Sequence, residues 1–360
     1  MPYGNTNLLF QTKSRVNRFA PTPSSKPAPQ RASKDEPRLL ACIDDFDGVH
    51  SLAPHALAVA CSLGLKVTFA RVIELRHHFS SPADPITWHA RQCAERENLR
   101  QLVSGQTQEP EEGGALAASQ PDTGQTIDSV LLAGNAGEEL ADWSKTHETS
   151  VIAMHRRDSH SGPGLGATAQ ALMNDGMTSL LLMPPKSLGD ATYRRILVPI
   201  DGSARAESVM PLARRIARTH HATLILVHVV SEAEDGLQTD EPMLPCLGSE
   251  LEASCEPGAR ANLETLRCRS VEDGVPVSIM TVGPADARTE LCRIIREQRA
   301  DMVVMSSHGC TGLEDVPCGS VTDYVAGHSD VPVLIVRPNI ECRFGPEPAT
   351  CAVPSAFRFA

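Results

Sequence analysis

The feature that most constrains this chain is that it repeats itself. Residues 39–44 read LLACID and residues 196–201 read ILVPID, each a short apolar run ending in aspartate. A second apolar run follows in each case, KVTFARV at 66–72 and TLILVHV at 223–229. Asp44 and Asp201 lie 157 residues apart, as do Val72 and Val229, so the segment between the runs has kept its length in both copies. The echo continues with shifts of a few residues. SVLLAGNAGEEL (129–140) parallels IMTVGPADARTEL (279–291), TSVIAM (149–154) parallels ADMVVM (300–305), and SLLLMPP (179–185) parallels VLIVRP (333–338). A period this long is the duplication of a whole domain, not the 20–50-residue unit of a solenoid.

Within each copy, apolar runs of five to seven residues alternate with amphipathic stretches. Short β-branched-rich runs read as strands buried on both faces of a parallel sheet. Val209, Leu212, Ala213, Ile216 and Ala217 fall on one face of a helix, and Leu291, Ile294 and Ile295 mark another. The order β-α-β-α-β-α-β-α-β predicts two tandem five-stranded, doubly wound α/β domains of Rossmann-like type, with right-handed crossovers. The expected division is a tail at 1–36, a first domain at 37–186, a second at 192–338 and a C-terminal tail at 339–360. The runs SLLLM (179–183) and PVLIV (332–336) would expose sheet edges unless they met, so the copies are expected to face one another through them as an intrachain pseudo-dimer.

The tails differ from the body. Residues 1–36 centre on PTPSSKPAPQ, and composition of that kind predicts disorder. Seven basic and two acidic residues lie in 1–38, while the whole chain carries −11. The body is therefore strongly acidic, which argues against a nucleic-acid-binding surface there. No apolar stretch reaches the roughly 20 residues needed to cross a bilayer. The start lacks the apolar segment of a secretory signal, so no membrane association and a cytoplasmic location are expected. The eleven cysteines are odd in number, scattered, and free of zinc spacing, which predicts reduced thiols.

In open parallel sheets, ligands bind beyond the carboxyl ends of the strands where the strand order reverses. After the first strand of the second copy comes Pro199-Ile200-Asp201-Gly202-Ser203. A carboxylate there suits a ribose or a metal near phosphates; equally, Asp201 and Ser203 suit the cap of the next helix. After the fourth strand comes Met305-Ser306-Ser307-His308-Gly309-Cys310-Thr311-Gly312, then Cys318-Gly319-Ser320-Val321 opening a helix. Gly319 and Ser320 place free N–H groups at a helix N-terminus, a seat for an anion.

The string SSHGCTGLEDVPCGSVTDYVAGHSDVPVLIVRP resembles the C-terminal signature of the universal stress protein family, and ILVPIDGS and TLILVHVV match its other segments in order. The resemblance covers residues 194–338 and, more faintly, 38–185; members occur as tandem two-domain chains. The ATP-binding branch of that family has a Gly-x2-Gly-x9-Gly-Ser/Thr loop. Here Gly309 matches the second glycine and Gly319-Ser320 follow at the right spacing, while Ser306 replaces the first glycine. The resemblance implies ATP, with Mg²⁺ where the phosphates need it. Asp201 and Pro199 would lie at the ribose or metal, and Val229 at the adenine. Met305, Ser306 and Gly309 would form the loop floor, and Gly319, Ser320 and Val321 would meet the phosphates. It also leaves room for a protein partner and for homo-oligomers.

The first copy departs further. Met154-His155-Arg156-Arg157-Asp158 has no Gly-x2-Gly, and Asp158 falls where Gly309 does. Gly162, Gly164 and Gly166 match a dinucleotide loop only weakly. Asp44 persists. A structural or regulatory half is expected there, and one ATP site per chain. The chain has no GxxxxGK[ST], GxSxG, HExxH or kinase motif, so the expectation is a nucleotide-responsive regulatory protein, not an enzyme. Two rivals stand beside it: a ligand-free interaction scaffold, and an adenine-nucleotide α-hydrolase-like enzyme.

Overall fold

The computed structural model describes residues 36–44, 48–74, 85–105, 127–156, 164–185, 191–231, 248–308, 318–337 and 344–345. Both predicted tails lie outside these, apart from Glu36, Phe344 and Gly345. The first copy contributes β1 (Arg38–Cys42), α1 (Val49–Leu63), β2 (Lys66–Ile73), α2 (Pro85–Gly105), β3 (Asp128–Ala133), α3 (Ala136–Thr146), β4 (Thr149–His155), α4 (Ala167–Asp175) and β5 (Ser179–Met183). The second contributes β6 (Arg195–Pro199), a single turn α5 (Ala204–Glu207), α6 (Met210–His220), β7 (Thr223–Ser231), α7 (Gly248–Glu272), β8 (Val277–Ala285), α8 (Ala287–Glu297), β9 (Met302–Ser306), α9 (Ser320–His328) and β10 (Val333–Val336).

All ten strands form one sheet in the order β3-β2-β1-β4-β5-β10-β9-β6-β7-β8. Every pairing inside a copy is parallel. The copies meet at β5 and β10, which run antiparallel with Leu181 opposite Leu334. This is the edge-to-edge seam expected from SLLLM and PVLIV, and it leaves both runs wholly buried. Strand order reverses between β1 and β4 in one copy and between β6 and β9 in the other, which sets the two switch points.

Alternation of side chains along each strand divides the core into two layers. Leu39, Ala41, Ile196, Val198, Met302, Val304 and Leu334 face the side covered by α1, α6 and α7. Leu40, Cys42, Leu197, Val303, Met305 and Ile335 face the side covered by α3, α4, α8 and α9. Each layer runs unbroken through both copies, so the seam is core and not a surface contact. The runs read as doubly buried because they are. Helix starts follow local chemistry: Asn135 accepts N–H bonds from Gly137 (3.0 Å) and Glu138 (3.4 Å) to start α3. Asp286 does the same for Arg288 (3.1 Å) at α8.

On the first face α1 and α6 also close against each other. Arg215 Nε donates to the Ser62 carbonyl across them at 2.8 Å. Buried between them, His55 Nδ1 lies 2.8 Å from the Tyr193 hydroxyl, and the His220 ring centroid lies 4.8 Å from that of Tyr193.

Gly283 and Pro284 lie inside β8, an edge strand of the sheet, where proline is tolerated. The expectation of reduced thiols is corrected at one position. Cys61, in the last turn of α1, is disulfide-bonded, with its partner outside the described cysteine side chains. Spacing in sequence does not show which thiols the fold brings together. Cys42, Cys93, Cys268, Cys292 and Cys318 are free thiols.

Candidate functional site

The second copy's switch point lies where β6 and β9 end. Pro199 closes β6, half-buried, and Ile200 returns its N–H to the Val227 carbonyl at 2.8 Å. The chain then turns sharply at Asp201, whose Oδ1 accepts the Ser203 N–H at 2.9 Å; Gly202 takes φ 81°. Ser203 Oγ in turn accepts the Ala206 N–H at 3.1 Å. The capping role is thus real for both residues, and Asp201 is half-buried just past the end of β6. On the adjacent β7, His228 donates its Nδ1–H to the Ile200 carbonyl at 2.8 Å, while Val229 packs half-buried against the second core layer.

Opposite stands the β9–α9 connection. Met305 is buried with its side chain in the core, so only its main chain faces the strand end. The Ser306 hydroxyl turns back to donate to the His308 carbonyl, and the Ser306 carbonyl accepts Thr322 Oγ1 at 3.0 Å. Gly319 donates its N–H to the Ser307 carbonyl at 2.8 Å, which fixes the start of α9 beside the end of β9. Gly309 lies outside the described residues. Ser320 is exposed on the first turn of α9, and Val321 is half-buried against the core.

Gly319 has φ −70° and ψ 148°, extended backbone open to any residue. Torsion therefore does not demand glycine there. What glycine gives is an N-cap without a side chain, so no side-chain bond from the cap residue takes the first amides of α9. Cys318 beside it has its thiol pushed up to about 12, by burial first and by Asp323 second, so it is a protonated thiol and not a nucleophile at neutral pH.

The first copy builds the same corner differently. Gly166 is the N-cap of α4, but at φ 83° and ψ 155° it occupies backbone that only glycine adopts without strain. A small cleft of about 120 Å³ opens there, lined by Asp44, Met154, His155 and residues 165–169. His155 Nε2 lies 2.7 Å from Ser51 Oγ on α1. Arg71, which stands 157 residues before His228, reaches the equivalent carbonyl, Ile43 O, at 3.3 Å and also donates to Asp44 O. It is held by Glu95 at 3.1 Å, an ion pair in which both side chains are only 17% exposed. A guanidinium and its partner carboxylate therefore stand over this strand end, where the second copy has an imidazole. Asp158 and Gly162 lie outside the described residues.

Sequence reasoning passed over His228, Thr322, Arg71 and Arg156. For the first and third the signal was present, since the 157-residue offset that aligns Asp44 with Asp201 also aligns Arg71 with His228. Thr322 and Arg156 act through contacts that no spacing shows. Among the described residues no His/Cys/Asp/Glu group suits a metal, and no helix is long and apolar enough to cross a membrane.

Fold and switch points together define a tandem doubly wound α/β protein whose second copy opens α9 on a glycine N-cap. The family model for the universal stress protein family matches residues 192–337. Universal stress protein MJ0531 of Methanocaldococcus jannaschii is 30% identical over 154 residues, 41% of this chain and 85% of that protein. Universal stress protein MJ0577 of the same organism is 28% identical over 156 residues, 40% of this chain and 95% of that one. The crystal structure of a universal stress protein from Archaeoglobus fulgidus matches at a TM-score of 0.59 and 17% identity, covering 84% of this chain and 98% of its own. That likeness shows that the fold extends over both copies. The chain belongs to the universal stress protein family.

Proposed function

We propose that this protein is a nucleotide-responsive regulatory protein of the cytoplasm, with its two tails outside a structural first domain (37–186) and a nucleotide-binding second domain (192–338). ATP occupies the second switch point. Its phosphates meet the first amides of α9 at Gly319, Ser320 and Val321, and Asp201 meets the ribose or the metal that accompanies the phosphates. The base lies along the main chain of Val229 and the floor formed by Met305, Ser306 and Gly309. The observation that carries this reading is the geometry of Gly319: a glycine that torsion does not require, at a helix start that no side chain of the cap residue closes. If Mg²⁺ accompanies the nucleotide it would screen the phosphates, and Asp201, just past the end of β6, is the described carboxylate that would hold it.

The reading assigns no catalytic residue, and binding without efficient turnover is expected. Among this chain's own groups, His308 is already engaged with Ser307 Oγ at 3.0 Å, which suits a loop brace. A ligand-free interaction module is the second reading, favoured by one observation: Asp201 already spends an oxygen on the Ser203 amide.

Calorimetric titration separates the two. Wild type should bind one MgATP per chain, and Asp201→Ala should weaken it without unfolding the domain. Asp44→Ala should leave affinity unchanged. Ser306→Gly, which restores the family's loop pattern, should hold or improve affinity. Binding by Ser306→Gly but not by wild type would favour the scaffold; binding by neither removes the nucleotide reading.

A further inference from the structure

The first copy reaches into the second through Arg156. Arg156 follows β4 directly, and its main-chain N–H is pinned to the Met183 carbonyl at 2.9 Å. Its side chain crosses the seam to the far end of α9. There Nη1 donates to the Ala326 carbonyl at 2.9 Å, and Nη2 donates to the Ser329 carbonyl. These are carbonyls of a helix C-terminus, left without intrahelical partners and carrying the negative end of the helix dipole. The guanidinium is half-buried, and Asp330 lies close enough to act as its countercharge, itself bonded to Arg296 Nε at 2.9 Å.

The residue that aligns with Arg156 in the second copy is Ser307, whose hydroxyl goes to His308 next door. The reciprocal grip comes from elsewhere: Arg337, after β10, donates to the Met173 carbonyl on α4. Each helix is thus gripped near its C-terminus by an arginine of the other copy. α9 is fixed at its start by its own copy, through Gly319 N–H to Ser307 O and Thr322 Oγ1 to Ser306 O. It is fixed at its end by the other copy, where Gly164 also comes close to Gly327. Only nine residues, about 13 Å of helix, separate the two ends. A helix this short moves as a rod, so what holds one end orients the other.

We propose that Arg156 is a positioning residue for the anion seat of the other copy: by holding the C-terminal carbonyls of α9 it sets where the first amides of that helix point. This rests on the nucleotide reading above. It also gives the first copy a task that needs no ligand of its own. His155, the residue before Arg156, lines the first copy's cleft. A change at that cleft thus has a two-residue path to the grip on α9.

The test is calorimetric titration of the full chain with three probes, MgATP, tripolyphosphate and adenosine. In Arg156→Ala, affinity for MgATP and for tripolyphosphate should fall together by about three- to tenfold, the size of effect seen when one member of a coupling network is removed. Adenosine affinity should stay unchanged, because the base and ribose do not touch α9. Arg156→Lys, which keeps the charge and one donor, should recover part of the loss. If Arg156→Ala does not fold, Arg156→Gln carries the same comparison. Equal MgATP affinity in wild type and variant overturns the positioning role and leaves the nucleotide reading intact. A loss that extends equally to adenosine means general loosening of the seam and overturns it too. Wild type that binds neither MgATP nor tripolyphosphate overturns both.

Discussion

Gly319 and Gly166 occupy the same place in the two copies, yet they are glycines for different reasons. At Gly319 the backbone is ordinary and torsion does not ask for glycine; at Gly166 φ is 83° and the conformation does. The same substitution should therefore separate them. Gly319→Val should abolish phosphate affinity while leaving the urea midpoint nearly unchanged, since valine tolerates extended backbone. Gly166→Ala should leave MgATP affinity alone and lower stability by about 1–3 kcal/mol, the usual cost of forcing a side chain into sparsely populated backbone. Titration and urea unfolding on both variants check this, and a stability loss at Gly319 with none at Gly166 would reverse the assignment. The sequence shows a glycine before a helix in each copy and nothing of this difference, because torsion angles are a property of the closed loop. Asp201 was legible as far as two alternatives, ribose contact or cap. The structure makes the cap a fact.

At the scale of elements, the central strands were readable because both their faces are buried, so apolar runs end where burial ends, while the edge strands β3 and β8 stay partly exposed. What was not readable is the packing of α1 on α6, which depends on three polar residues far apart in sequence. His55, Tyr193 and His220 form a cluster in which His55 is 4% exposed and Tyr193 1%. Burial pulls His55 down to about 4, with His155 and His220 adding repulsion. Burial likewise pulls His220 down to about 4, opposed by its bond to the Ala58 backbone and aided by His221. Burial raises the Tyr193 hydroxyl, with Asp301 next in effect, so it stays protonated throughout. Both imidazoles are neutral in the folded protein. In the unfolded chain they bind protons near pH 6.5. Below that the unfolded state binds more protons, so stability is complete above about pH 6.5 and is lost as pH falls towards 4. The slope approaches about 1.4 kcal/mol per pH unit for each histidine. Urea midpoints between pH 4.5 and 7.5 should fall on that limb. His55→Asn, which keeps an amide near the Nδ1 position and cannot titrate, should flatten it by roughly half; an unchanged slope would place the acid sensitivity elsewhere.

For the whole molecule, the duplication explains why ten strands make one sheet and not two. Each five-stranded copy ends in a wholly buried strand, apolar throughout but for Ser179, and burying that edge needs a partner. Within one chain the partner is the other copy, present at an effective concentration set by the connection between them. Leu181 and Leu334 face each other across the seam with no exposure, and both core layers pass through it. Cutting the chain there would uncover β10 with Val333, Leu334 and Ile335, an edge competent to pair with another copy of itself. A fragment spanning 191–337 should therefore run as a dimer in size-exclusion chromatography with light scattering. The full chain should show no such association through β10, because that edge is already taken. Leu334→Lys in the fragment should return it to monomer, since a buried lysine on each side of an antiparallel seam places like charges together away from water. In the full chain the same substitution should be tolerated in assembly but costly in stability, by about 3 kcal/mol or more for an unpaired buried charge. A monomeric wild-type fragment with a cooperative melt would mean that β10 is covered by its own copy, and that the seam joins two domains already complete without it.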